Sequence, residues 1–183
     1  MNHLIILPVL LPAVLGAGLV LARRAGLGVQ RLAGLAGTLM LLSIAVGLLV
    51  QATTTPAQAY FLGGWPAPFG IVLVLDRLAA LMLVLTAALA VLVQIHAVAT
   101  GWDARGTHFH ALYLFQLMGL NGAFLTGDAF NLFVFFEVLL IASYGLMIHS
   151  GGGRCGCAPG CSMSPSIWSR QSCSCSRWPP FTA

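Results

Sequence analysis

Between Ala129 and Ile148 the chain runs through an apolar stretch that carries a single charge, Glu137, set among Phe, Val, Leu and Ile. About twenty such residues are what a helix needs to cross a ~30 Å hydrocarbon core at ~1.5 Å per residue. In that medium every backbone N–H and C=O must be satisfied within the segment, which dictates a helix. An ionised carboxylate placed there costs roughly 2.5–3.5 kcal/mol on insertion scales. Glu137 therefore calls for a partner charge, a water-filled cavity or a proton to move.

Composition extends that reading to the rest of the chain. Hydrophobic residues make up 59% of the sequence and charged residues 7%, with no lysine, where a soluble domain carries about 25% charge. The net charge of +4 comes from scattered arginines that form no basic patch, which argues against a nucleic-acid partner. Met1 leads into an apolar run without a basic start or a clear small-residue cleavage site, so the first segment reads as a retained helix rather than a signal peptide. The class is a multi-pass membrane protein.

Taken in order, the first span covers about residues 4–22, interrupted by Pro8 and Pro12 and stopped by Arg23 and Arg24, with Arg31 closing a short loop. A second covers about 32–50, where Gly34, Gly37 and Gly47 offer small faces for packing. Residues 51–70 are uncharged, rich in Thr, Pro and Gly, and too broken for a helix; their aromatics suit a membrane boundary. The β-branched run Ile71 to Leu75 reads as extended, half of a hairpin with Tyr60, Phe61 and Leu62. Asp76 stands where an N-cap would, opening a third span over 77–98, with His96 at the far boundary. After a polar loop at residues 100–108, a fourth span covers about 109–125 and carries Gln116 and Asn121. Those amides suit interhelical hydrogen bonds, or alternatively a hydrated proton path. The turn Thr126, Gly127, Asp128 then opens the fifth span, about 129–148.

If five helices alternate, Arg23, Arg24, Arg31, Arg105 and Arg154 all fall on one side, and the arginine-free segments on the other. The positive-inside rule then places the N-terminus outside the cell and the first and third loops in the cytoplasm. Glu137 shares a helical face with Phe133, Leu140, Ile141 and Tyr144. Asp128 projects elsewhere, near the boundary, so the two are not paired carboxylates. Glu137 reads either as a neutral structural group bonded to a neighbouring helix or as a proton carrier tuned by desolvation and a cation. The first 150 residues offer cations only at the boundaries, so its partner has to come from another helix or subunit. Asp76 is foremost a cap, with an ion-path role as the alternative.

Residues 1 to about 154 resemble the N-terminal part of the D subunit of Mrp-type multisubunit sodium/proton antiporters, a family related to the proton-pumping membrane subunits of respiratory complex I and membrane-bound hydrogenases. The resemblance lies in Leu7-Pro8 through Pro12, in Leu62-Gly63-Gly64-Trp65-Pro66-Ala67-Pro68-Phe69-Gly70-Ile71, in Asp76-Arg77-Leu78, and most specifically in Gly127 through Val138. It implies an all-α polytopic fold, proton translocation coupled to sodium efflux, and other antiporter subunits as partners in the bacterial inner membrane. It also implies no covalent chemistry, no redox cofactor and no bound metal. Glu137 would match the family's essential glutamate, which works with a lysine on a later helix. The family's further spans and that lysine are absent from this sequence, so the chain reads as truncated and inactive alone. The alternatives are a redox-driven proton-pumping subunit of an NADH:quinone oxidoreductase or hydrogenase, and a non-functional remnant.

After Arg154 the character changes: residues 155–183 hold all five cysteines and no Leu or Val. The cysteine spacings fit no zinc signature. Written in GC-rich codons and read two bases later, Cys155 onward gives Arg-Leu-Arg-Ala-Gly-Leu-Gln-Tyr-Val-Ala-Ile-Asn-Leu-Val, a basic loop running into an apolar helix. Residues 151–183 therefore read as an out-of-frame tail, expected to be disordered.

Overall fold

The computed structural model of the chain describes residues 3–22, 26–62, 70–105 and 108–149. A 3-10 turn (His3–Ile5) leads into five helices: α1 (Leu7–Leu21), α2 (Leu27–Thr54), α3 (Arg77–Ala99), α4 (Phe109–Leu125) and α5 (Ala129–His149). Two strands, β1 (Gln58–Phe61) and β2 (Val72–Leu75), lie between α2 and α3, and a second 3-10 turn (Trp102–Arg105) joins α3 to α4. The Gly63–Phe69 run, Arg23, Arg24 and the tail at 151–183 lie outside the described residues, as does Arg154.

The boundaries follow local chemistry. Pro8 occupies the first turn of α1, where a missing N–H is harmless, so it starts the helix instead of interrupting one that begins at residue 4. Arg31 does not close a loop: it lies inside α2, which begins at Leu27. A charge ends an apolar run without ending a helix, and Arg is a good helix former. At the other end α2 reaches Thr54, past the expected limit at residue 50, and the hydroxyls of Thr53 and Thr54 bond back to the carbonyls of Val50 and Gln51. It stops where Thr55 turns extended ahead of Pro56. Asp76 is extended and its carboxylate accepts from the Arg77 N–H at 2.7 Å, the expected cap of α3.

The hairpin is also as expected: β1 and β2 pair antiparallel, Tyr60 opposite Leu73 and Phe61 opposite Val72. It closes one end of the bundle. The Gly127 N–H donates to the Val72 carbonyl at 2.9 Å and Leu73 bridges to Thr126, so β2 is tied to the α4–α5 turn. Tyr60 meets His3 edge-on, hydroxyl to Nδ1 at 3.0 Å.

The core runs along spaced seams. On α3 the buried positions are Ala80, Leu83, Ala87, Ala90, Val91, Gln94 and Ala97; on α2 they are Gln30, Gly34, Gly37, Thr38, Leu41, Ala45, Leu48 and Ala52. Recurring steps of three and four residues keep these positions on one face of each helix. α4 is central, buried on several sides between α1, α3 and α5. α5 packs mainly on α4. At Gly119 a Cβ would lie 2.9 Å from the Leu139 amide nitrogen and 3.0 Å from the Phe135 carbonyl, so only glycine lets the two backbones touch. Outward faces stay apolar, with Leu21, Leu32, Leu92, Phe130 and Ile148 exposed. α2, α3 and α5 are long and apolar enough to cross a membrane. α1 and α4, at 15 and 17 residues, are shorter.

Candidate functional site

Glu137 stands midway along α5 and is exposed, together with Phe133, Leu140, Ile141 and Tyr144. The helical face read from the sequence is therefore the face that the described chain leaves uncovered. The cause is the glycine seam: Gly119 and Gly122 draw the Phe135 and Leu139 side of α5 onto α4, which turns Glu137 outward. Among the described residues no hydrogen-bond or ion-pair partner reaches its carboxylate. Nor do His, Cys, Asp and Glu gather there in threes as a metal ion would require.

The secondary candidates are kept apart. Asp128 serves the start of α5: its carbonyl accepts from Leu132 N–H at 3.0 Å and its carboxylate from Asn131 Nδ2 at 3.5 Å. It lies about 13 Å below Glu137 at ~1.5 Å per residue, too far for a shared proton. Asp76 is exposed and occupied as a cap. Gln116 is half-buried and lines a groove of about 240 Å³ between α3 and α4 with Thr86, Tyr113 and Leu120. Asn121 is buried, and its Nδ2 donates to the carbonyl of Pro8 at 3.0 Å. That carbonyl would ordinarily accept from residue 12, but Pro12 has no N–H to give. The expected interhelical hydrogen bond thus repairs the proline gap in α1. Asn121 Oδ1 remains unpartnered.

A second polar cluster, unsuspected from the sequence, lies at the opposite end of the bundle from the hairpin. Arg31 of α2 grips Asp103 of the 3-10 turn through one edge of its guanidinium, Nε donating to Oδ2 at 2.5 Å and Nη2 to Oδ1 at 2.9 Å. His110 of α4 approaches Asp103 Oδ2 through Nε2 at 3.3 Å, and its Nδ1 lies 3.3 Å from Nε2 of Gln94 on α3. Asp103, His110 and Gln94 are all at least 98% buried. Gly34 makes room: a side chain there would collide with Gln94 and come within 3.0 Å of His110 Nδ1. Burial pushes the Asp103 carboxyl upward, but the hydrogen bonds and charge of Arg31, with His110 adding to them, outweigh it and hold Asp103 below the usual carboxylate range. One hint of the cluster is local, an Asp seven residues before a His at the mouth of a span.

The chain is 48% identical over 157 residues to a Rhizobium meliloti protein named as the probable D subunit of a K(+)/H(+) antiporter, covering 83% of this chain and 29% of the relative. It is 43% identical over 152 residues to the D subunit of the Na(+)/H(+) antiporter of Alkalihalophilus pseudofirmus, covering 82% and 31%. The chain is homologous to antiporter D subunits. No family model matches it. The homology extends, at 38% identity over 153 residues, to the N subunit of the NADH-quinone oxidoreductase of Desulforudis audaxviator. Among solved structures, the Mrp complex of a Dietzia species aligns with a TM-score of 0.72 and 31% identity over 81% of this chain and 28% of that one. An archaeal membrane-bound sulfane sulfur reductase aligns with a TM-score of 0.69 and 29% identity, over 77% and 29%. The fold is thus the all-α, multi-pass architecture of an antiporter-like membrane subunit. The chain spans about 30% of the length of the curated relatives it matches.

Proposed function

We propose that this chain forms the N-terminal part of a membrane subunit of a multisubunit monovalent cation/proton antiporter in the bacterial cell membrane, with Glu137 as its proton-carrying carboxylate. The observation that supports this most is the exposure of Glu137 on the uncovered face of α5, a charge that costs roughly 2.5–3.5 kcal/mol unless a partner completes it. In this reading a cation from a later segment or another subunit covers that face. Glu137 takes a proton when the cation withdraws and releases it when the cation returns, because a nearby positive charge favours the ionised carboxylate. Asp76, Asp128, Gln116 and Asn121 support the frame and do not carry the proton. The arginine distribution supports an external N-terminus.

The test is a chimera in which residues 1–149 replace the matching part of a full-length D-type antiporter subunit, expressed with the other antiporter subunits in everted vesicles. Cation-dependent dissipation of a proton gradient is expected from the unsubstituted chimera. Glu137→Gln, which keeps shape and loses the proton, is expected to lower it at least tenfold. Undiminished exchange in that variant rules the role out. The two named relatives differ in cation, so sodium and potassium belong side by side in the assay.

A redox-driven proton pump is the second reading, favoured by the identity to the N subunit of an NADH-quinone oxidoreductase and by the likeness to the sulfane sulfur reductase. Neighbouring genes for redox subunits would favour it, and neighbouring antiporter genes would not. The out-of-frame reading of residues 151–183 rests on their composition and is tested by resequencing the codons for Arg154 and Cys155.

A further inference from the structure

The Arg31, Asp103, His110 and Gln94 cluster is more than a structural tie. A tie needs only the bidentate Arg31–Asp103 pair. Here a histidine and an amide are buried behind it, and Gln94 Oε1 is left without a donor. With the Gln94 amide nitrogen facing the ring, the contacts fit a neutral imidazole: Nε2–H donating to Asp103 leaves Nδ1 to accept from the amide. A half-turn of that amide exchanges its ends and brings Oε1 to Nδ1 instead. Nδ1 would then have an acceptor waiting for a proton, and the imidazolium would be held by Asp103 on its other side through charge-assisted bonds.

We propose that His110 is a second proton-binding group of this protein, taking a proton at Nδ1 between Gln94 and Asp103. The proton enters past Arg31, whose side chain is 37% exposed while that of Asp103 is fully covered. To His110, α2 presents Arg31 through Asp103, α3 presents the neutral Gln94, and the 3-10 turn presents Asp103 itself. α1 has no titratable side chain, and Glu137 and Tyr144 of α5 lie on its exposed face. Arg31 and Asp103 offset each other's charge beside the ring. The assignment stands on α2, α3 and α4 and does not depend on the role given to Glu137.

The test is nitrogen-15 solid-state NMR of the histidine-labelled full chain in lipid bilayers, titrated over about pH 5 to 9, the range where imidazoles change charge. His110→Asn assigns the signal. The expected result is one buried histidine passing from the Nε2–H tautomer to the doubly protonated ring. Gln94→Glu should raise its proton affinity at least tenfold, and Gln94→Leu, which removes the acceptor, should lower it. A His110 signal that stays neutral across the range overturns the proposal. So does a midpoint unmoved by Gln94→Glu, a variant that keeps the size and shape of the native side chain and so also serves if His110→Asn does not fold.

Discussion

Removing the Asn121 side chain should reveal what proline costs a membrane helix, because the repair is a single bond. In Asn121→Ala the carbonyl of Pro8 loses its 3.0 Å donor and has no substitute within α1, since Pro12 carries no N–H. A buried unsatisfied carbonyl costs about 1–3 kcal/mol in a protein interior. Interhelical hydrogen bonds in bilayers average about 0.6 and reach about 1.7 kcal/mol. With no competing donor the cost should sit near the top of that membrane range, about 1.5 kcal/mol, or roughly tenfold in the folding equilibrium. The decisive arm is Pro12→Ala, which returns the N–H of residue 12 to the Pro8 carbonyl. In that background Asn121→Ala should lose most of its effect, a coupling of about 1 kcal/mol in a double-mutant cycle. Reversible unfolding of the reconstituted protein in mixed micelles, followed by circular dichroism, measures all four corners. If Asn121→Ala costs the same with and without Pro12, coupling below about 0.3 kcal/mol, the reasoning fails.

Other outcomes follow from the same contacts. Gly119→Ala places a Cβ against backbone atoms of Leu139 and Phe135 that no rotamer can move, so α5 should shift at a cost of about 1–3 kcal/mol; the same unfolding assay would register it. Asp103 has its folded pKa lowered, so its stabilising contribution is complete above the unfolded value near ~3.9 and is lost as pH falls through the lowered folded value. Asp103→Asn should therefore flatten the acid limb of a stability–pH curve, and an unchanged limb would remove the pair from the account. Asp76→Ala should cost about 0.5–2 kcal/mol by uncapping α3, and Asp76→Asn markedly less.

How much of this is legible depends on where each feature keeps its information. The helix bounds read at 77–98, 109–125 and 129–148 come within a residue of α3, α4 and α5 because Asp76, the loop at 100–108 and the Thr126–Asp128 turn mark their ends locally. The hairpin is legible from β-branching, and the face of Glu137 from helical spacing. Arg31 misleads because a charge beside an apolar run looks like a helix end, whereas this arginine is long enough to reach a carboxylate from within the helix. The Arg31–Asp103 pair spans 72 residues, and nothing local in either half announces the other. Gln94 gives no sign either, since a lone amide in an apolar run looks the same whether it faces lipid or a buried histidine. Asn121 is legible as a bridging residue, but its partner, the carbonyl left idle by Pro12, is a backbone atom that only the fold brings near.

The tie between β2 and the α4–α5 turn bears on how the chain is made. Val72 and Leu73 must wait for Thr126 and Gly127 before their outer edge is satisfied, and the ribosome reaches those residues only after α3 and α4 have been synthesised. Until then a short two-stranded hairpin, marginal in isolation, has a bare edge at the membrane surface. Entry of α5 would close that edge and fix the end of α4 in one step. The hairpin thus acts as a clasp that fastens late, and biogenesis stalled between α4 and α5 should leave it open to proteases.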